Sequence, residues 1–188
     1  MGLRFLPRGW LGDESFPVTG VTLMDHEYGA FSPSTRWILQ DIQLSNGVAI
    51  SNSISGDAFT VTEGVPTPTY ASILENGVNT FLENTTATPT QPWINDGTTY
   101  FLNWEVDIPG KGTLVLEAVM ADQLFGGDQR PVYEGAATLT VVGGMYDGQS
   151  VTGTGWIEQA LAPLKPTATH HRPPRGHHAH ARRRETAS

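Results

Sequence analysis

Cysteine is absent from this 188-residue chain, which excludes disulfide bridges and thiolate metal sites. No run of about 18 apolar residues is present to form a membrane-spanning helix. Met1–Pro7 is too short for the apolar stretch of a secretory signal, so the product is expected to stay where it is made. Sustained 3.6-residue periodicity is missing too, as are a glycine-rich phosphate loop leading into a helix and the elbow motif that exposes a nucleophilic serine. Positive charge is scarce in most of the chain. Six of the 11 basic side chains and one of the 19 acidic ones follow residue 164, so residues 1–164 carry five basic against 18 acidic groups, net -13. A body this acidic has no electrostatic footprint for nucleic acid and is repelled by anionic membranes.

What is present is the punctuation of an all-β chain. Its 21 glycines and 13 prolines separate short runs rich in Val, Thr, Ile, Leu and aromatic residues. Ser15 to Met24 reads as a strand. Arg36 to Leu44 and Val48 to Ile54 read as a hairpin closed by Ser45-Asn46-Gly47, since Asn and Gly both tolerate positive φ. Thr99 to Ile108 and Thr113 to Ala121 form a second hairpin around Pro109-Gly110-Lys111-Gly112. Val132 to Val142 and Gln149 to Ala160 form a third around residues 143–148. The stretch from Gly64 to Gln91, with Pro66, Pro68 and Pro89, reads as an irregular excursion or loop over one barrel end.

About eight strands in successive hairpins suit an antiparallel lipocalin-like β-barrel, which closes on itself and can hold one small ligand. A two-sheet β-sandwich is the alternative. Residues 1–164 are expected to form this domain. Residues 165–188 contain five of the six histidines and six Lys or Arg, and bury too little apolar surface to offset chain entropy, so they are expected to be disordered. Asn84-Thr85-Thr86 matches a glycosylation sequon, which matters only if a leader is missing from the sequence, and chance occurrence is the expected account.

Three segments, in order, resemble the C-terminal half of the carotenoid 1,2-hydratase (hydroxyneurosporene synthase) or AttH-like lipocalin-type family. Phe16-Pro17-Val18-Thr19-Gly20-Val21-Thr22-Leu23-Met24-Asp25-His26-Glu27-Tyr28-Gly29 is similar to its V-x-G-x-x-W-x-D-H-x-W-G stretch. Tyr133-Glu134-Gly135-Ala136 resembles Y-W-E-G-A/V, and Val151-Thr152-Gly153-Thr154-Gly155-Trp156-Ile157-Glu158 resembles V-x-G-x-G-Y/W-x-E. Tyr28 stands where tryptophan is common. The resemblance implies a lipocalin-like barrel, an apolar isoprenoid- or polyketide-like substrate, and no required metal or organic cofactor. It implies chemistry ranging from alkene hydration in carotenoids and prenyl chains to Diels-Alderase-type cyclisation. Family members usually carry two such barrels, so the chain is expected to be truncated or separately encoded, forming a homodimer or docking to a missing N-terminal domain.

Alkene hydration needs an acid able to protonate carbon and a positioned base or water. His26 is the only histidine before the tail, and histidine is the side-chain type that changes charge near neutrality without a large perturbation. With Asp25 and Glu27 it supplies the residue types required. On an extended strand Asp25 and Glu27 share one face, while His26 and Tyr28 share the other and are expected to meet the ligand. Alternatively, Asp25 and Glu27 cap turns or pair with Arg36, and His26 is structural. No His/Glu pair at ligand spacing accompanies it, so no metal site is expected. Of the five tryptophans, Trp10, Trp37, Trp93, Trp104 and Trp156, the mid-strand Trp37 and Trp104 are the best pocket candidates, with core packing the blander account. Gln40, Glu105 and Glu134 are candidate interior polar groups, whereas Glu158 reads as a rim acid beside Trp156. Gly153 and Gly155 are expected to permit sharp barrel curvature or close strand packing.

Overall fold

Twelve β-strands and no helix make up residues 8–17, 32, 34–57, 59–125 and 131–162 of the computed structural model, with residues 8–11 and 134–143 described by their backbone. No helix among them is long and apolar enough to cross a membrane. Strands β1 (Arg8–Leu11) and β2 (Glu14–Pro17) form a separate small hairpin. The expected strand Ser15 to Met24 is described only as far as Pro17.

Eight strands form the barrel: β3 (Thr35–Leu44), β4 (Ala49–Asp57), β5 (Thr67–Glu75), β6 (Val78–Asn95), β7 (Thr98–Ile108), β8 (Gly112–Ala118), β10 (Val132–Tyr146) and β12 (Gly153–Ala160). Each pairs antiparallel with the next barrel strand along the chain, and β12 pairs back with β3. Because β10 hydrogen-bonds to β8 on one side and β12 on the other, the sheet closes and the sandwich alternative is excluded. The short strands β9 (Leu124–Phe125) and β11 (Gln149–Ser150) extend β10 at its two ends.

The hairpins expected around residues 45–47, 109–112 and 143–148 are all formed, the last with a longer β10. The reading of residues 64–91 as a loop is corrected: they contribute β5 and the first part of β6, two full barrel strands. Two of the prolines here sit at the end of a ladder or at a break in one. Pro68 lies before the stretch of β5 that pairs with β4, which begins at Tyr70. Pro89 and Pro92 flank register shifts between β6 and β7. The turns that organise this region are Asn76-Gly77 and Asp96-Gly97, with all four residues at positive φ.

Alternation then sorts the side chains. Ile38, Gln40, Ile42 and Leu44 point inward from β3, as do Ile50 and Asn52 from β4 and Trp104, Val106 and Ile108 from β7. Four glycines let the strands approach closely at the closure. A Cβ on Gly155 would collide with the Asp41 carbonyl and one on Gly153 with the Gln43 carbonyl, both on β3. Where β8 meets β10, a Cβ on Gly112 would collide with the Met145 carbonyl, and one on Gly144 would lie 2.7 Å from the Thr113 carbonyl. These contacts bear out the close packing expected of Gly153 and Gly155. Replacing Gly155 by Ala should therefore destabilise the fold by about 2–4 kcal/mol, whereas Gly56→Ala, where nothing lies within 4 Å, should cost less than ~0.5 kcal/mol, both read from urea unfolding.

Candidate functional site

The barrel interior carries a polar arc inside an apolar lining. Asn52 Nδ2 donates to Gln40 Oε1 at 2.9 Å, and the Thr85 hydroxyl donates to Asn52 Oδ1 at 3.0 Å. The Thr85 proton being used there, the 2.9 Å contact with Thr69 must be donated by the Thr69 hydroxyl. Gln40 Nε2, at the end of the arc, has no acceptor among the described residues. Ile42, Ile50, Ala71 and Ile157 surround the arc, each less than 3 % exposed. Gln40 and Trp104 are fully enclosed by packing, so a ligand reaches them only by displacing side chains.

A second polar device spans the barrel. Gln159 on β12 receives the Phe101 N–H at Oε1 (2.9 Å) and donates from Nε2 to the Phe101 carbonyl (2.8 Å). Phe101 faces Pro92 in register, and proline has no N–H to offer that carbonyl. Gln159 supplies the missing donor, and Trp104 Nε1 adds another at 3.1 Å. Gln159→Leu should strand the buried Phe101 N–H and cost about 1–3 kcal/mol in unfolding free energy.

The two barrel ends differ. At the end made by the tight turns, Lys111 Nζ bonds Glu75 at 3.1 Å, approaches Asp147 at 3.5 Å and lies 5.2 Å from the Tyr146 ring centre. The hydrogen bond to Glu75 is the main cause of the raised Lys111 pKa. The opposite end is the mouth, where β3 begins, β12 ends and the β4–β5 connection crosses. There Trp93, Tyr100 and Tyr133 cluster, tilted or edge-on to one another, with ring centres 5.9–6.2 Å apart. Beside them a pocket of about 240 Å³ is lined by Arg36, Phe59, Thr60, Val61, Thr99 and Leu161, among others. The Tyr133 hydroxyl donates to the Met120 carbonyl at 2.9 Å, and burial raises its pKa against a lowering contact with Gln123. Burial likewise raises Tyr146. Both phenols hold their protons longer folded than unfolded, so this stabilisation is complete below the ordinary value of 10 and is lost as pH rises through the folded values. The melting temperature should fall above pH 10, and less steeply in Tyr133→Phe.

The structure brings Gln40 and Trp104 into the interior and sets Trp37 on the outer face, with Leu39 and Gln43. Trp37 Nε1 donates to the Glu158 carboxylate at 2.5 Å. A tryptophan at mid-strand was a sound pocket candidate only if its phase matched that of Ile38 and Gln40, and it does not. Glu105 is exposed, out of phase with Trp104. Glu134 pairs through its backbone with Glu158 on β12. Asp25, His26, Glu27 and Tyr28 lie outside the described residues, as does the tail from 163 onward. Among the described residues, no group of three His, Cys, Asp or Glu is placed to hold a metal ion. Sequence reasoning missed Asn52, Thr69, Thr85 and Gln159. Asn52 and Gln159 are polar positions in phase with apolar neighbours, a signal that strand alternation carries.

No protein-family model and no curated protein sequence matches the chain. Among solved structures it is similar to kievitone hydratase from Nectria haematococca, with a TM-score of 0.58 and 26% identity over 72% of this chain and 41% of that one. It also shares its fold with a protein described as an AttH from Nitrosomonas europaea, with a TM-score of 0.54 and 18% identity over 71% of this chain and 42% of that one. The chain thus spans about two fifths of the length of each. Over that span, its closed antiparallel barrel is similar to the lipocalin-like barrels of these two proteins, in keeping with the resemblance to the AttH-like family read from the sequence.

Proposed function

We propose that this barrel belongs to a cofactor-independent, hydratase-type lyase that adds water to an apolar isoprenoid- or polyketide-like alkene. The observation that carries this reading is the 26% likeness to kievitone hydratase across the closed barrel. Packing bears on where the substrate would sit. The level of Gln40, Asn52 and Trp104 is filled and the Tyr100 and Tyr133 rings are fully buried, so the substrate would enter at the mouth against Trp93, the half-buried ring of that cluster. Tyr28 precedes Thr35, the first residue of β3 at that mouth, by seven positions. In this reading His26 handles the proton, Asp25 or Glu27 orients it or supplies it, and Tyr28 meets the ligand. The Trp93 face would steady a carbocation formed by protonating the alkene, and an apolar surround would keep bulk water from it. Cyclisation of a polyene would draw on the same parts.

The reading extends to assembly. Tyr70, Leu74 and Phe81 are exposed on the outside of β5 and β6, with Tyr70 and Phe81 rings 5.8 Å apart, a surface suited to a second copy or a docked domain. The alternative function is a binding domain that holds an apolar molecule unchanged. Native mass spectrometry after incubation with an isoprenoid extract reports assembly, bound mass and mass change together. The lyase reading expects a ligand heavier by one water, or isomerised, and at least a tenfold loss of that conversion in His26→Ala. A ligand retained without change favours the binding domain, and conversion unaffected by His26→Ala removes the histidine from the mechanism.

A further inference from the structure

Only two basic side chains are described in the barrel, and their circumstances are opposite. Lys111, at the turn end, is held by Glu75 and Asp147. Arg36, at the mouth, has no carboxylate within 4 Å among the described residues; its one contact is a donation from Nη1 to the Phe59 carbonyl at 3.5 Å, the long limit of a hydrogen bond. Asp57, next to the Arg36 partner Gly56 in register, is taken up by the Thr35 hydroxyl at 3.2 Å. An arginine with no counter-charge among the described residues stands out in an acidic domain, because guanidinium offers five donors in a planar fork that suits a carboxylate. Arg36 also continues the inward row of Ile38 and Gln40, so it stands at the rim of the interior and lines the 240 Å³ pocket there. The other walls are of two kinds. Phe59, Val61 and Leu161 are apolar, and Phe59 and Val61 pack against the core, while Thr60, Thr98 and Thr99 add hydroxyl-bearing side chains beside the guanidinium.

We propose that this mouth pocket binds the carboxylate of an otherwise apolar small molecule, with the head on Arg36 and the chain on Phe59, Val61 and Leu161. A bidentate pair would fix the head on the guanidinium. The acidic body disfavours polyanions at this site, whereas a single carboxylate attached to an apolar chain gains from both walls. The site goes beyond the hydratase reading and does not depend on turnover.

Calorimetric titration of the full chain with octanoate, octanol, acetate and inorganic phosphate tests it. Octanoate is expected to bind at least tenfold tighter than octanol, acetate or phosphate, and Arg36→Gln should bring octanoate and octanol to equal affinity. Equal affinities in the parent protein would mean that the guanidinium is already engaged, and would overturn the site. An octanoate preference that survives Arg36→Gln overturns it as well, and phosphate binding as tightly as octanoate would make it a general anion site instead. Should Arg36→Gln lose its cooperative melt, Arg36→Lys carries the test. A preference cut at least threefold supports the fork, and an undiminished one overturns it.

Discussion

Everything in this molecule depends on β10 being hydrogen-bonded on both edges. That pairing converts a meander of hairpins into a ring without free edges and so determines which residues face each other across the interior. Closure places backbones too near one another for side chains. Gly153 and Gly155 lie against β3 at one seam, and Gly112 and Gly144 face each other's strands at another. Strand tilt, interior diameter and the position of the mouth all follow from those two seams. An eight-stranded ring has an interior about wide enough for its own side chains, and here they fill it at the level of Gln40 and Trp104.

A filled interior with polar groups in it must satisfy them internally. The arc from Gln40 through Asn52 and Thr85 to Thr69 does so with side chains alone, leaving one amide nitrogen over. Gln159 has a different task. It mends the backbone where Pro92 removes a donor, and thereby ties β12 to β7 across the barrel. The two ends then diverge in character. The turn end is locked by the Lys111 ion pairs, and the mouth combines aromatic rings, an apolar wall and an arginine without a carboxylate partner among the described residues. The mouth is therefore the end where a small molecule would meet both apolar surface and charge.

Much of this was legible in the sequence, and the failures have specific causes. The hairpin around Ser45-Asn46-Gly47 was readable because a tight turn is a local event with its own residue preferences. The same signal existed at Asn76-Gly77 and Asp96-Gly97, but Pro66, Pro68 and Pro89 outweighed it, since proline normally argues against a strand. What rescued those strands was long-range: Pro68 lies outside the β4 ladder and Pro89 and Pro92 fall at register shifts. Gln40 and Trp104, read as ligand-binding candidates, point inward and are fully packed there. Trp37, three residues from Gln40, fell on the opposite face because phase along a strand is decided by one residue. Arg36 drew attention only as a partner for acids, for a lone charge carries no pattern.

By itself, the sequence determined the strand-and-turn composition, the acidic surface and the family likeness. Each of these is written in local residue choice, in alternation, in Asn-Gly and Asp-Gly turns, and in motifs read along the chain. Only the tertiary structure decided that the strands close into a ring, that Gln159 reaches Phe101 58 residues away, and that Lys111 is paired while Arg36 has no carboxylate within 4 Å among the described residues. Those outcomes rest on contacts between residues far apart in sequence. Their geometry exists only once β12 has met β3 and the register around the barrel is complete.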